Sequence, residues 1–419
     1  MKYFFGILYM CMLLILNKLH AQALPQLHAG EPIIAANYTC NNAQNYIPYQ
    51  PQYSPLKHLR LAIHVFGKDD GTANLQPVAE HQAFLVSIIN HLNWMYTEPD
   101  PQKPASPMYR HIPDSRLRFV ADTVFFHRNT DAWDFKKYVG RYDEVKKDTV
   151  YSNSGGYNRA EQLYRQYVEE NQRLSIKHKD SALHIFLFEA YNFQNRGMAE
   201  NIRSKRWVYS IGAFHHFNSG KNHWDPALLL AHEIAHALGL YHPYDIEQCD
   251  DLPLSRKGET NNIVDSYPNQ GSGITPCQLG ILHYNLSGKA GPLGNIVMRE
   301  YYRYKPDSLI RIPAGDTVFF NGEKHFPADV YIEKGAVLVV KCNVYMPQGA
   351  SIYVEKGGTL IVNGGALTSL HAQPWKGVKL EKRNTILGIF KRRTQAALHI
   401  LNDGKILHAE KAVMQTRFE

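Results

Sequence analysis

The chain reads as an α/β domain followed by an all-β domain of the parallel β-helix type, and three observations predict it. Segments with strand-like alternation and segments with helical spacing take turns between residues 58 and 238, the pattern of a layered α/β unit. A histidine-bearing helix, LLLAHEIAHALGLYHPYD at 228–245, closes that stretch. Beyond residue 310, short apolar, β-branched phrases recur around a turn glycine, as stacked repeats require.

With 419 residues, 44% hydrophobic and 20% charged, the chain is globular and long enough for two domains. A net charge of +8 is modest for that length. No basic block with interleaved aromatics argues for nucleic acid; the nearest, KRNTILGIFKRR at 382–393, reads as an exposed loop or edge. Residues 1–22 place Lys2 ahead of an apolar run and end in small residues near a cleavage point at Gln22 or Ala23, the layout of a secretory signal peptide. The run Phe4–Leu16 is short for a bilayer span, and no other segment is long and apolar enough. The expected mature chain has no transmembrane segment and is secreted or held at the cell surface.

Cys11 leaves with that peptide. Cys40, Cys249, Cys277 and Cys342 are an even set for an oxidising compartment and allow three pairings. Cys249–Cys277 is favoured, because both flank the segment just after the histidine motif, and a loop of that size contributes roughly 3 kcal/mol by restricting the unfolded chain. Cys40 has a second reading, a pro-segment thiolate that masks a metal.

Five prolines in 24–57 predict an extended lead-in. HLRLAIHVF (58–66) alternates like a strand, and the spacing in 77–99 predicts a helix that ends before Pro99. A strand at 115–129, an amphipathic helix at 159–172, a buried strand at 181–191 and another at 206–217 follow. The helix at 225–238 has Asp225 as its expected N-cap, Pro226 at its first position and Gly239 where it stops. Farther on, VYIEKGAVLVV (330–340) is echoed by IYVEKGGTLIV (352–362), so Gly335 maps onto Gly357 at an offset of 22. IPAGDTV (312–318) and LHILNDGKIL (398–407) are looser versions. The expected division is therefore a signal peptide at 1–22, an extended segment at 23–57, the α/β domain at 58–288, a linker at 289–311 and β-solenoid repeats at 312–419. No capping repeat precedes Glu419, so the last domain reads as incomplete.

His232 and His236 stand four apart on the helix, so both rings leave one face, one turn apart. Two nitrogens at that separation suit one zinc ion. Glu233, beside them, can lean over the open position and take a proton from water. Gly239 permits a sharp helix exit, and the turn brings His242 back as a third ligand. The chain holds 21 histidines, so isolated ones carry little weight, and His215, His216 and His223 are read as structural or solvated. Three ligands, a base and a glycine at fixed offsets are another matter: the motif predicts one catalytic zinc.

HEIAHALGLYH resembles the metzincin zinc-endopeptidase signature, and its GLYH ending is most similar to the pappalysin group. CDD (249–251), NNIVDSYP (261–268) and ITPCQLGILHYNL (274–286) resemble the segment after the zinc helix in secreted bacterial pappalysin-like proteases. The resemblance spans roughly 58–288 and implies a zincin-like fold: a twisted sheet and helices above a cleft, then a smaller subdomain. It also implies a methionine in a tight turn beneath the metal. Val264 occupies that place, and Met298 is the rival assignment. The tyrosine that assists the transition state in some relatives would correspond to Tyr267, one residue off register.

The expectation is a secreted zinc endopeptidase acting on protein or peptide substrate, with water activated at the zinc and Glu233 as general base. The strand at 206–217 is expected to receive the substrate as an added β-strand. The adjacent carboxylates Asp250 and Asp251 leave calcium open. An alternative from another class is a surface or adhesion protein whose β-solenoid, with an unidentified partner, is the working part and whose protease-like domain is a degenerate zinc scaffold.

Overall fold

The structure is a computed structural model that describes residues 40–133, 140–143, 145, 147–151, 161–170, 179–188, 197–199, 207–211, 217–220, 222–288, 291–370, 373–382, 395–416 and 418. The expected signal peptide, most of the basic run at 382–393, His215 and His216 lie outside them. Among the described residues no helix is long and apolar enough to cross a membrane. Residues 36–419 form one compact unit.

Its α/β part is built on β1 (Lys57–Gly67) and β2 (Leu117–Arg128), which run parallel in a five-stranded sheet, β2 at one edge and β1 beside it. A small antiparallel pair, β3 (Gly140–Asp143) and β4 (Asp148–Tyr151), stands apart from it. β5 (Leu183–Phe188) lies parallel to β1, and β7 (Trp207–Ile211) parallel to β5. β6 (Gly197–Ala199) is antiparallel to β7, giving the order β2-β1-β5-β7-β6. Alternate residues of β1 (Leu59, Leu61, Ile63, Val65) enter one core with α1 (Ala79–Thr97) and α2 (Trp224–Ala237). β1 is buried on both faces, so its other alternate set, which includes His64 and Phe66, is covered as well.

α2 starts one residue earlier than expected. Its N-cap is His223 without a side-chain cap bond, so Asp225 sits inside the first turn, where its charge suits the positive helix end. Gly239 takes φ +111, and the exit is pinned from outside by Gln248, whose amide donates to the Gly239 carbonyl at 2.9 Å. α3 (Pro276–Asn285), opened by a Thr275–Gln278 capping box, holds the far end of α2 through Asn285, which donates to the Leu238 carbonyl at 2.8 Å. Tyr96 of α1 donates to the Ala231 carbonyl at 3.1 Å. The site helix is thus fixed at its middle and its end.

The segment expected as a linker is packed rather than loose. Leu293, Ile296, Val297 and Tyr302 belong to the first core, and Val297 bridges to Leu59.

Beyond it lie three parallel sheets. The first holds β8 (Leu309–Ile312), β11 (Asp329–Ile332), β14 (Ser351–Val354), β17 (Gly377–Glu381) and β20 (Val413–Thr416). The second holds β9 (Thr317–Phe320), β12 (Val337–Val340), β15 (Thr359–Asn363) and β18 (Ala397–Leu401). The third holds β10 (Lys324–His325), β13 (Val344–Met346), β16 (Ala366–Ser369) and β19 (Lys405–Ile406). Val330 pairs with Ile352 and Leu338 with Leu360, the 22-residue interval legible in the sequence. Gly315, Gly335 and Gly357 all take positive φ, at +84, +80 and +84, and the Gly335 amide donates to the Gly357 carbonyl at 2.9 Å. The phrase at 398–407 differs in register: Leu398 pairs with Leu360, so Gly404 falls beside Gly364–Gly365 instead of the Gly335–Gly357 column.

Cys40 is bonded to Cys342, across 302 residues of sequence, and Cys249 to Cys277. The thiolate reading of Cys40 is thereby corrected: its sulfur is committed to a disulfide and cannot mask a metal. The described lead-in is a clasp between the two cores. Tyr46 meets the Tyr284 ring of α3 edge-on at 5.4 Å, while Tyr53 enters the second core and donates to the Arg311 carbonyl at 3.1 Å. Gly280 and Gly322 leave room for it, since a Cβ at either would stand 2.7 Å from a clasp carbonyl.

Candidate metal centre

His232, His236 and His242 offer nitrogens that all lie within 4.8 Å of one another. Nε2 of His236 is 3.0 Å from Nε2 of His232 and 3.0 Å from Nε2 of His242. Helix α2 delivers the first two rings from one face, and the Gly239 exit returns the third.

The opposite edge of each ring decides what those nitrogens are. Nδ1 of His232 donates to the Ile263 carbonyl at 3.0 Å, Nδ1 of His236 to the Leu240 carbonyl at 2.7 Å, and Nδ1 of His242 to Asp245 Oδ2 at 2.8 Å. The Gln270 amide also lies 3.0 Å from the His232 Nδ1, but a carbonyl only accepts, which keeps the ring proton on Nδ1. Neutral rings protonated at Nδ1 turn three Nε2 lone pairs toward a common point. Lone pairs cannot bond to one another; they need a cation. A tetrahedron with zinc–nitrogen bonds of 2.0–2.1 Å has edges of about 3.3 Å, close to the spacing seen, so the donor set fits.

Burial keeps the two helix-borne rings, His232 and His236, neutral. It holds His232 well below the usual imidazole range and takes His236 down to about 4, with His242 a smaller contributor. Glu233 is 6% exposed, and burial pushes its carboxyl up to about 8.

The remaining sequence-expected residues fall as follows. Val264 is buried next to Ile263, whose carbonyl anchors His232. Met298 is tied elsewhere, its backbone donating to the His58 carbonyl at the start of β1. Tyr267 is 86% exposed. Asp251 turns its carboxylate to the backbone N–H of Cys277 at 3.0 Å, and Asp250 is exposed. His223 stacks on His91 at 4.1 Å. β7, expected to take substrate, is bonded on both sides by β5 and β6, so an added strand can meet only β6 on that side of the sheet.

Sequence reading passed over Tyr244 and Asp245, although both stand in the quoted motif, and Ser266 and Gln270. Tyr244 stacks on His242 at 4.6 Å, 12° between planes, and shares a 3.0 Å hydrogen bond with Ser266 Oγ. An acid three residues after a ligand was the available signal for Asp245.

No protein-family model matches the chain, and no curated protein matches it. Among solved structures it is similar to mature mirolysin of Tannerella forsythia in complex with a cleaved peptide, at 12% identity and TM-score 0.36, over 59% of this chain and 98% of that one. It is also similar to mirolysin in complex with compound 9, at 11% identity and TM-score 0.35, over 59% of this chain and 97% of that one. At these values the likeness is coarse.

Proposed function

We propose that the chain is a secreted zinc-dependent endopeptidase of metzincin, pappalysin-like type. One observation carries the reading: three imidazole Nε2 atoms converge with their protons on the far edges, and Glu233 is the next residue on the same helix. His232, His236 and His242 would hold the zinc. When bound, it supplies positive charge that polarises a peptide carbonyl and makes water a stronger acid. Glu233 takes the proton of the attacking water on its carboxylate and returns it to the leaving amine nitrogen. Burial favours a carboxyl that both accepts and releases a proton near neutral pH. The backbone of β6 offers hydrogen bonds to an extended substrate strand, and the loop after His242 with the exposed Tyr267 borders the side-chain pocket.

The catalytic domain in this reading is 58–288, and 312–419 is a β-solenoid. Three stacked parallel sheets, two of which pair strands at a 22-residue interval, support the second assignment. Two disulfides support export to an oxidising compartment. Those same sheets motivate the alternative in which the solenoid works as an adhesion surface over an inert zinc scaffold. Digestion of casein or gelatin, with and without a chelator, separates the two. Chelator-sensitive cleavage supports the endopeptidase; a chain that binds zinc and cleaves nothing supports the scaffold.

A further inference from the structure

His242 is the one ligand outside helix α2, in irregular chain with its side chain 29% exposed, so something besides the helix must fix its ring. Two contacts do. Asp245 takes the Nδ1 proton, which sets rotation within the ring plane, but this carboxylate is 57% exposed and water competes for it. Tyr244 lies parallel to the imidazole at 4.6 Å, which sets the tilt of that plane.

The Tyr244 ring is itself anchored. Its hydroxyl reaches Ser266 Oγ at 3.0 Å, across 22 residues of sequence. Ser266 follows Asp265, a fully buried carboxylate that accepts from the backbones of Gly258, Thr260 and Ser266 and from the Thr260 hydroxyl, at 2.7–2.8 Å. Three residues before Ser266, the Ile263 carbonyl holds His232. The short loop 263–266 therefore reaches one ligand directly and another through Tyr244.

We propose that Tyr244 is a positioning residue: clamped by Ser266, its ring holds the His242 imidazole in register with His232, so that one rigid loop aligns two of the three ligands. The inference rests on the zinc reading of the site. Its consequence is an affinity carried by preorganisation, with no Tyr244 contact to the metal.

Chelator competition with zinc alone, on the full mature chain, measures the effect without any substrate. Tyr244→Ala is expected to weaken zinc binding by about 10- to 100-fold. Tyr244→Phe and Ser266→Ala keep the stacked ring but cut its anchor, so each gives a smaller loss, and the double variant is no weaker than either single one because both remove the same bond. Melting of the metal-free variants is the control: for Tyr244→Phe and Ser266→Ala it stays at the wild-type value while zinc affinity falls. Losses that follow the metal-free melting temperature, or variants that bind zinc as wild type does, overturn the positioning role and leave the zinc site standing. A wild-type chain that takes up no zinc overturns the zinc reading and this inference with it.

Discussion

His236 and His242 face each other Nε2 to Nε2 at 3.0 Å, while the Nδ1–H of each ring donates away from the cluster, to the Leu240 carbonyl and to Asp245 Oδ2. Two acceptors at that distance repel unless a cation lies between them. The same relation holds between His236 and His232, an arrangement that a bound cation would satisfy.

On the proposed mechanism, Glu233 separates binding from turnover. Glu233→Gln keeps size and shape but cannot accept the proton, so zinc uptake stays at the wild-type level while peptide cleavage falls by about 10²- to 10⁴-fold. Side-by-side metal analysis and a fluorogenic peptide assay check both halves. A variant with full activity removes Glu233 from the chemistry.

Gly239 stands at φ +111, where a Cβ is strained whatever the space around it. Gly239→Ala is expected to cost about 1–3 kcal/mol in stability and, by turning His242 away, to weaken zinc binding as well. Denaturant unfolding and chelator competition give the two numbers. Unchanged values would mean that the helix exit does not depend on glycine.

Acid should destabilise the fold once the histidines of the unfolded chain begin to titrate. Burial takes His283 down to about 3, and burial takes His58 and His127 down to about 4, so all three are neutral in the folded chain. The unfolded chain protonates them below about pH 6.5, and therefore binds more protons as pH falls from there toward the folded values. Stability is lost across that window by about 1.4 kcal/mol per pH unit for each group fully engaged. Lys57, lowered to about 7 by burial, is mostly charged in both states there, while Glu233, raised to about 8 by burial, holds its proton in the folded chain and offsets one of the three histidines. Melting of the metal-free protein is expected to drop between pH 6.5 and 5; a flat profile contradicts the buried neutral histidines.

The Cys40–Cys342 bond ties the clasp to the third sheet's end of the molecule, beside the turn that precedes β13. Replacing both cysteines by serine is expected to lower stability by roughly 2–4 kcal/mol and to expose residues 40–56 to limited proteolysis. Protease resistance equal to wild type would show that Tyr46 and Tyr53 hold the clasp unaided.

Local rules made the first half of the chain readable. α1, β2 and β5 fall within the expected segments, and β1 and α2 match theirs to within one residue at each end, because strand-like and helical apolar spacing report burial. The convergence of His232 and His236 was legible for the same reason, since i and i+4 on a helix share a face. What escaped is long-range. Nothing local marks Ser266 as the partner of Tyr244, 22 residues away, or Cys40 as the partner of Cys342, 302 residues away. The proline-rich lead-in read as extended chain, whereas Tyr46 packs edge-on against Tyr284 and Tyr53 fills the second core. The closure of β7 by β6 depends on three residues, Gly197–Ala199, too short to carry a pattern.

The most direct test is a titration of zinc into chelator-stripped protein, followed by heat or by a competing dye, with His236→Ala alongside. One zinc bound per wild-type chain, and none by the variant that lacks the central imidazole, is the predicted result. A wild-type chain that binds no zinc, or a His236→Ala chain that binds it equally well, contradicts the three-histidine cradle on which the endopeptidase reading stands.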